Sequence, residues 1–151
     1  MRYVRLLFVL LAVTMTLVAA DPFVGTWKMN PAKTKFKTGS APKEQTVTIS
    51  ESGGDLDIAV QGTTADGKAI ATHYTIPAAG GTGKVIESPY EAVSGKRMSA
   101  NERETDYSKG GKVVYTTRAQ LSKDGKTLTV HSKGTNPAGQ TVDGTVVYDK
   151  Q

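Results

Sequence analysis

From Phe23 onward the chain is cut repeatedly by glycine-centred turns, and the runs between them alternate apolar with polar residues. Asp66-Gly67-Lys68, Gly110-Gly111-Lys112, Asp124-Gly125-Lys126 and Ala138-Gly139-Gln140 each precede a new run rich in Val, Ile, Thr and Tyr. Asp-Gly and Gly-Gly suit tight hairpins, because type I′ turns need positive φ at both central residues. No stretch after Phe23 carries the three-to-four-residue apolar period of a helix. The chain is therefore confined to antiparallel sheet.

The spacing predicts strands at Val24–Met29, Glu44–Ser50, Leu56–Gln61, Ala69–Ile76, Lys84–Glu87, Glu91–Met98, Glu102–Tyr107, Lys112–Leu121, Thr127–Lys133 and Thr141–Asp149. About ten strands joined in sequence order, with no crossover helix, form an antiparallel up-and-down meander. A sheet that wide curls, and closing it removes both exposed edges. The expected fold is an all-β barrel, with Asn30–Pro42 and Ala78–Gly83 as its long loops.

Alternation separates the two faces of each strand. The expected inward sets are Val47/Ile49, Leu56/Ile58/Val60, Ile70/Tyr74/Ile76, Val113/Tyr115/Leu121, Leu128/Val130 and Val142/Val146/Tyr148. Large apolar residues are few for a wide barrel, which predicts a partly hollow or water-containing interior. A single bulge would exchange the faces of any one strand.

The first twenty residues obey a different pattern. Arg2 and Arg5 precede an apolar run from Leu6 to Val18, followed by Val18-Ala19-Ala20 and then Asp21-Pro22. This charged, apolar, small-residue order is that of a secretory signal peptide. Its apolar core is shorter than the roughly 20 residues needed to span a bilayer. Residues 1–20 are thus expected to be removed, leaving residues 21–151 as a single exported domain, periplasmic or secreted, with no membrane span.

The chain has no cysteine, which removes disulfides, thiolate chemistry and cysteine zinc sites. The formal charge of +5 falls to +3 once Arg2 and Arg5 leave. That mild excess lies mostly on turn lysines, without the basic stripe and interleaved aromatics of a nucleic-acid binder.

Phe23-Val24-Gly25-Thr26-Trp27-Lys28 resembles the Gly-x-Trp signature of the first strand of lipocalins. The resemblance implies that Trp27 packs across the closed end of the barrel and that Gly25 permits close approach. Both would be structural. Gly25-Thr26-Trp27-Lys28-Met29-Asn30-Pro31-Ala32-Lys33, Gly95-Lys96-Arg97 and Ser122-Lys123-Asp124-Gly125-Lys126-Thr127 are similar to a group of exported bacterial proteins, many from acidobacteria, described as lipocalin-like. That likeness implies a lipocalin-like barrel and a compartment, but no activity. Lipocalins proper also stack a cation near the chain end on the tryptophan. Lys150 is the candidate here, a weaker stacking partner than arginine. Their C-terminal helix has no counterpart before Gln151.

No catalytic constellation stands out. His73 and His131 each share parity with polar neighbours and read as exposed strand histidines, with no third ligand spaced for a metal. Glu102, Glu104 and Asp106 repeat on one face as a solvated stripe, not as two carboxylates in contrasting environments. No serine sits in a nucleophile elbow, and no cofactor motif is present. Arg118 interrupts a long strand. Facing the lumen it would bind a ligand carboxylate bidentately, as arginines inside fatty-acid-binding barrels do. Facing outward it would make a cross-strand surface pair, the commoner fate of a strand arginine. Arg103 and Tyr107 share a face, with Arg97 before them and Tyr115 in the next strand.

These residues give the expected binding set of Arg97, Arg103, Tyr107, Tyr115 and Arg118. The leading expectation is a non-enzymatic carrier of a small apolar or amphipathic ligand held inside the barrel. The alternative is a solid barrel that captures a protein partner through its loops.

Overall fold

The alternating runs fold as strands throughout the computed structural model, which describes residues 19–151. The expected signal segment therefore lies outside the described residues, apart from Ala19 and Ala20. The strands are β1 (Gly25–Met29), β2 (Lys35–Thr38), β3 (Glu44–Ser52), β4 (Asp55–Thr63), β5 (Ala69–Pro77), β6 (Gly80–Thr82), β7 (Lys84–Glu87), β8 (Ala92–Ser99), β9 (Glu102–Lys109), β10 (Lys112–Leu121), β11 (Thr127–Thr135) and β12 (Thr141–Lys150). All pairings are antiparallel, in the order β6-β8-β9-β10-β11-β12-β1-β3-β4-β5-β7, with β2 also on β12. No described helix is long and apolar enough to cross a membrane.

The count is twelve strands where ten were expected, and both additions fall in expected loops. β2 arises from Lys-Phe-Lys-Thr, a run with a single apolar residue. Phe36 nevertheless turns inward, and a methyl group at Gly144 of β12 would overlap its ring. β6 lies in the Ala78–Gly83 stretch and works with β7 as a seam. β6 pairs with β8 and β7 with β5, while the Gly83 N–H donates to the Val93 carbonyl at 2.9 Å. A Cβ at Gly83 would fall 2.5 Å from the Thr75 oxygen and 2.7 Å from Val93 Cγ2. Gly80 and Gly83, which read as loop, sit where the two edges of the sheet meet with little or no room for a side chain. The barrel is nearly closed.

Register follows the alternation almost everywhere. Val47, Ile49, Leu56, Tyr74, Ile76, Leu121, Leu128, Val142, Val146 and Tyr148 are all buried. Val113 is the exception, 56% exposed although expected inside. The β9–β10 register slips between Val113 and Tyr115, so Val113 lies outside while Tyr115 and Leu121 keep their inward parity. At the adjacent tip, Gly110 and Gly111 form the two-residue loop with φ of 58° and 73°, as a type I′ turn requires.

Inside the barrel the buried side chains gather in two clusters. One cluster gathers Phe23, Trp27, Met29, Leu56, Leu121 and Leu128 towards one end, with Tyr148 and Val146 above them. A second gathers Tyr74, Ile76, Tyr90, Val93 and Tyr107. Ile58 packs against both.

Candidate ligand site in the open half of the barrel

After Ala20 the sequence holds five tyrosines, at positions 74, 90, 107, 115 and 148, and every one points into the barrel. Four of them, on β5, β9, β10 and β12, obey strand parity. Tyr90 does not belong to a strand. It is carried by Ser88-Pro89-Tyr90, the connection between β7 and β8, where the Ser88 hydroxyl accepts the Tyr90 N–H at 3.0 Å. Its ring enters the mouth and stacks on Tyr115, with centroids 5.8 Å apart and planes within 10°. Tyr107 meets the same ring at 5.1 Å, and the Tyr74 ring meets Tyr107 edge-on at 5.7 Å. Such pairs are favourable beyond the area they bury.

The hydroxyls are as informative as the rings. Tyr74 and Tyr107 share a hydrogen bond of 2.8 Å, and the Tyr148 hydroxyl donates to Gln45 Oε1. Burial raises the pKa of Tyr107 well above that of an ordinary phenol, and the neighbouring Tyr74 adds to the shift. Burial also raises Tyr115, opposed by the hydroxyl of the buried Ser132. Burial raises Tyr74 and Tyr90 as well. At neutral pH all four are uncharged phenols that can donate and accept. The Tyr90 hydroxyl donates to the Thr135 carbonyl at 3.5 Å, a long hydrogen bond.

Two concavities open at this end. One, of about 130 Å³, lies beside Tyr90 among Pro89, Val114, Thr135 and Pro137. The other, of about 380 Å³, is a groove in the wall where β1 ends, floored by Met29, Pro31, Gln45 and Gln61 and flanked by Lys43. Its size is that of a ligand site, whereas the smaller concavity is the one lined by Tyr90.

The opposite end is sealed. Trp27 is fully buried and its indole N–H donates to the Phe23 carbonyl at 2.9 Å. Lys150 Nζ lies 5.0 Å from the centre of the Trp27 ring. Gly25, at φ 145°, allows this: a Cβ there would fall 2.7 Å from Lys150 Cε. Glycine, tryptophan and terminal cation thus occupy the places that the Gly-x-Trp resemblance implies. The barrel is lipocalin-like.

No known protein-family model matches the chain, and no curated protein matches its sequence. Among solved structures, it is similar to a de novo designed fluorescence-activating β-barrel (18% identity, 90% of this chain and 100% of that one, TM-score 0.44). It is similar also to a redesigned β-barrel bound to DFHBI (18% identity, 83% and 97%, TM-score 0.41). Lobster apocrustacyanin A1 matches over 87% of this chain and 62% of its own length, at 13% identity and TM-score 0.44.

The five residues expected to bind ligand separate into three places. Tyr107 and Tyr115 line the open half. Arg97 and Arg103 point inward but lie at the closed end, where Arg97 Nη1 and Arg103 Nη2 donate to Asp21 Oδ2 at 2.5 and 3.1 Å. Both also bond the Ala78 carbonyl, and Arg103 lies over the Phe23 ring. Arg118 is on the outer wall, its Nε 2.5 Å from Glu102 Oε1. The acidic stripe is paired there too, with Lys96 bonding Glu104 and Asp106 at 3.1 and 3.3 Å. His73 and His131 are also on the outer wall, beside Asp57 (2.9 Å) and Thr145 (3.1 Å). Sequence reasoning passed over Tyr90. Its signal was a lone aromatic directly after proline in a turn, in a chain whose other tyrosines fall at inward positions.

Proposed function

We propose that this barrel binds a small amphipathic ligand with a planar ring in its open half, in the place that the Tyr90 ring holds. The observation that supports the reading is the parallel stack of Tyr90 on Tyr115, made by the one interior tyrosine that a connection delivers instead of a strand. A ligand ring entering there finds the faces of Tyr107 and Tyr115 and the hydroxyls of Tyr74, Tyr107 and Ser132. Export belongs to the same reading. The order of the first twenty residues supports export to the periplasm or outside the cell, and the phrases Gly25–Lys33 and Ser122–Thr127 support a likeness to the acidobacterial type.

If Tyr90 must leave before a ligand enters, the apparent affinity is lowered by the fraction of molecules with the mouth free. The test is a fluorescence titration with the amphipathic dye anilinonaphthalene sulfonate. The expected result is that Tyr90→Ala binds at least about tenfold more tightly than wild type, with an unchanged near-ultraviolet circular dichroism baseline for Trp27. Adding Tyr115→Ala should then weaken binding. Equal affinity in wild type and Tyr90→Ala, indifferent to Tyr115, overturns the proposal and leaves a solid barrel acting through its loops.

A further inference from the structure

The point at which the chain enters the fold is sharply defined. Ala19 and Ala20 are exposed, whereas Asp21 is buried. Asp21 is held on every side. Its Oδ1 accepts the Phe23 N–H at 3.0 Å, and its carbonyl accepts the Val24 N–H at 3.0 Å. Its Oδ2 accepts from Arg97 and Arg103. The backbone nitrogen remains, and it donates to Glu51 Oε2 of β3 at 3.0 Å. One residue upstream, no side chain or backbone group of Ala20 takes part in these contacts. The small side chains before this bond are those that a signal peptidase accepts.

We infer that the peptide bond between Ala20 and Asp21 is the processing site, and that its hydrolysis creates an α-ammonium group that pairs with the Glu51 carboxylate. Water adds across the bond: the C–N bond breaks, the water oxygen joins the Ala20 carbonyl carbon, which leaves as a carboxylate, and both water protons end on the Asp21 nitrogen. A neutral N–H···carboxylate bond thereby becomes an ion pair without any movement of the chain. The charged groups around the new ammonium are the Glu51 and Asp21 carboxylates and, beyond Asp21, the Arg97 and Arg103 guanidiniums. Before cleavage these four side chains balance. The ammonium then adds one positive charge on the side of Glu51, with Asp21 between it and the arginines. Processing and folding are coupled at this point, because the N-terminus is seated in the closed end.

This inference rests on the export reading, so two measurements separate them. Expressing the full chain in a bacterial host and weighing the exported product tests the cleavage. The expected mass is that of a chain beginning at Asp21, and any other first residue overturns the site. Independently, a chain released by a sequence-specific protease with Asp21 first, and its Glu51→Gln variant, are compared by pH-dependent labelling of the α-amine. The wild-type amine should titrate about half a unit or more above the ordinary α-amino range of about 7.7–8.0, and Glu51→Gln should return it to that range. Thermal midpoints give a second readout. Retaining Ala19-Ala20 should lower the midpoint by about 2 °C in wild type and leave it unmoved in Glu51→Gln. An amine that titrates alike in both proteins overturns the ion pair, whatever the exported mass.

Discussion

The two halves of the barrel are filled by opposite means. At the closed end the filling is apolar, with Phe23, Trp27, Leu56, Leu121 and Leu128 sealed beneath the Asp21–Arg97–Arg103 cluster. In the open half the filling is tyrosine, each ring bringing a hydroxyl that must be satisfied. The closed end has every large side chain on a strand or tied by several bonds. The open half has one ring on a turn, Tyr90, packed on Tyr107 and Tyr115 and with a single long hydrogen bond from its hydroxyl. The difference predicts that stability is concentrated at the closed end and that contacts in the open half exchange more readily.

The comparison breaks if the two halves contribute equally to stability. Trp27→Ala should cost about 3–5 kcal/mol, as for a fully buried aromatic with no room to relax, read from urea unfolding. Asp21→Asn comes next, at about 2 kcal/mol, the scale of hydrogen bonds to charged groups. Although burial pushes the Asp21 carboxyl up, the Arg97 bond, the Phe23 N–H and the two guanidinium charges together hold it below its ordinary value. Its folded pKa is thus lower than the unfolded one near 3.9. The stabilisation is fully present above that pH and is lost as pH falls through the folded value. The gap between wild type and Asp21→Asn should therefore narrow below about pH 4 in acid unfolding.

Smaller effects sharpen the contrast. Tyr90→Ala should cost about 1–2 kcal/mol, less than a strand-borne aromatic because its turn can settle into the space. A loss equal to that of Trp27→Ala would make the plug a core residue. Tyr74→Phe removes one hydroxyl of the 2.8 Å pair and should cost about 1 kcal/mol by the same assay. Arg118→Ala, outside both halves, should leave the unfolding midpoint and dye affinity where they were. A change in dye affinity there would place ligand on the outer wall.

Much of the barrel could be read from the sequence because alternation is a local property. Val47/Ile49 and Val142/Val146/Tyr148 declare their face within a few residues, and Gly110-Gly111 declares its turn. The Gly25, Trp27 and Lys150 arrangement was also legible, carried by a resemblance. What escaped depended on distant partners. The seam glycines have meaning only where β5 and β8 meet, and Phe36 finds its place only through Gly144. Val113 changed face through a bulge against β9. For the site, parity put Tyr115 on the inward face and grouped Arg103 with Tyr107, without saying on which side of the wall that pair would lie. It could not tell which end of the barrel each would reach.

The junction of first and last strands also sets the tempo of folding. Trp27 lies opposite Lys150, and the Gln151 N–H bonds the Thr26 carbonyl. The ring cannot close until segments from the two extremities of the barrel find each other, a loop closure that is entropically expensive and slow to nucleate. Hairpins from β3 to β5 and from β8 to β12 can form early, each from neighbours in the chain. Neither buries Trp27 alone. The indole is therefore a natural clock: its fluorescence should report the final docking event, after the sheet signal has already developed.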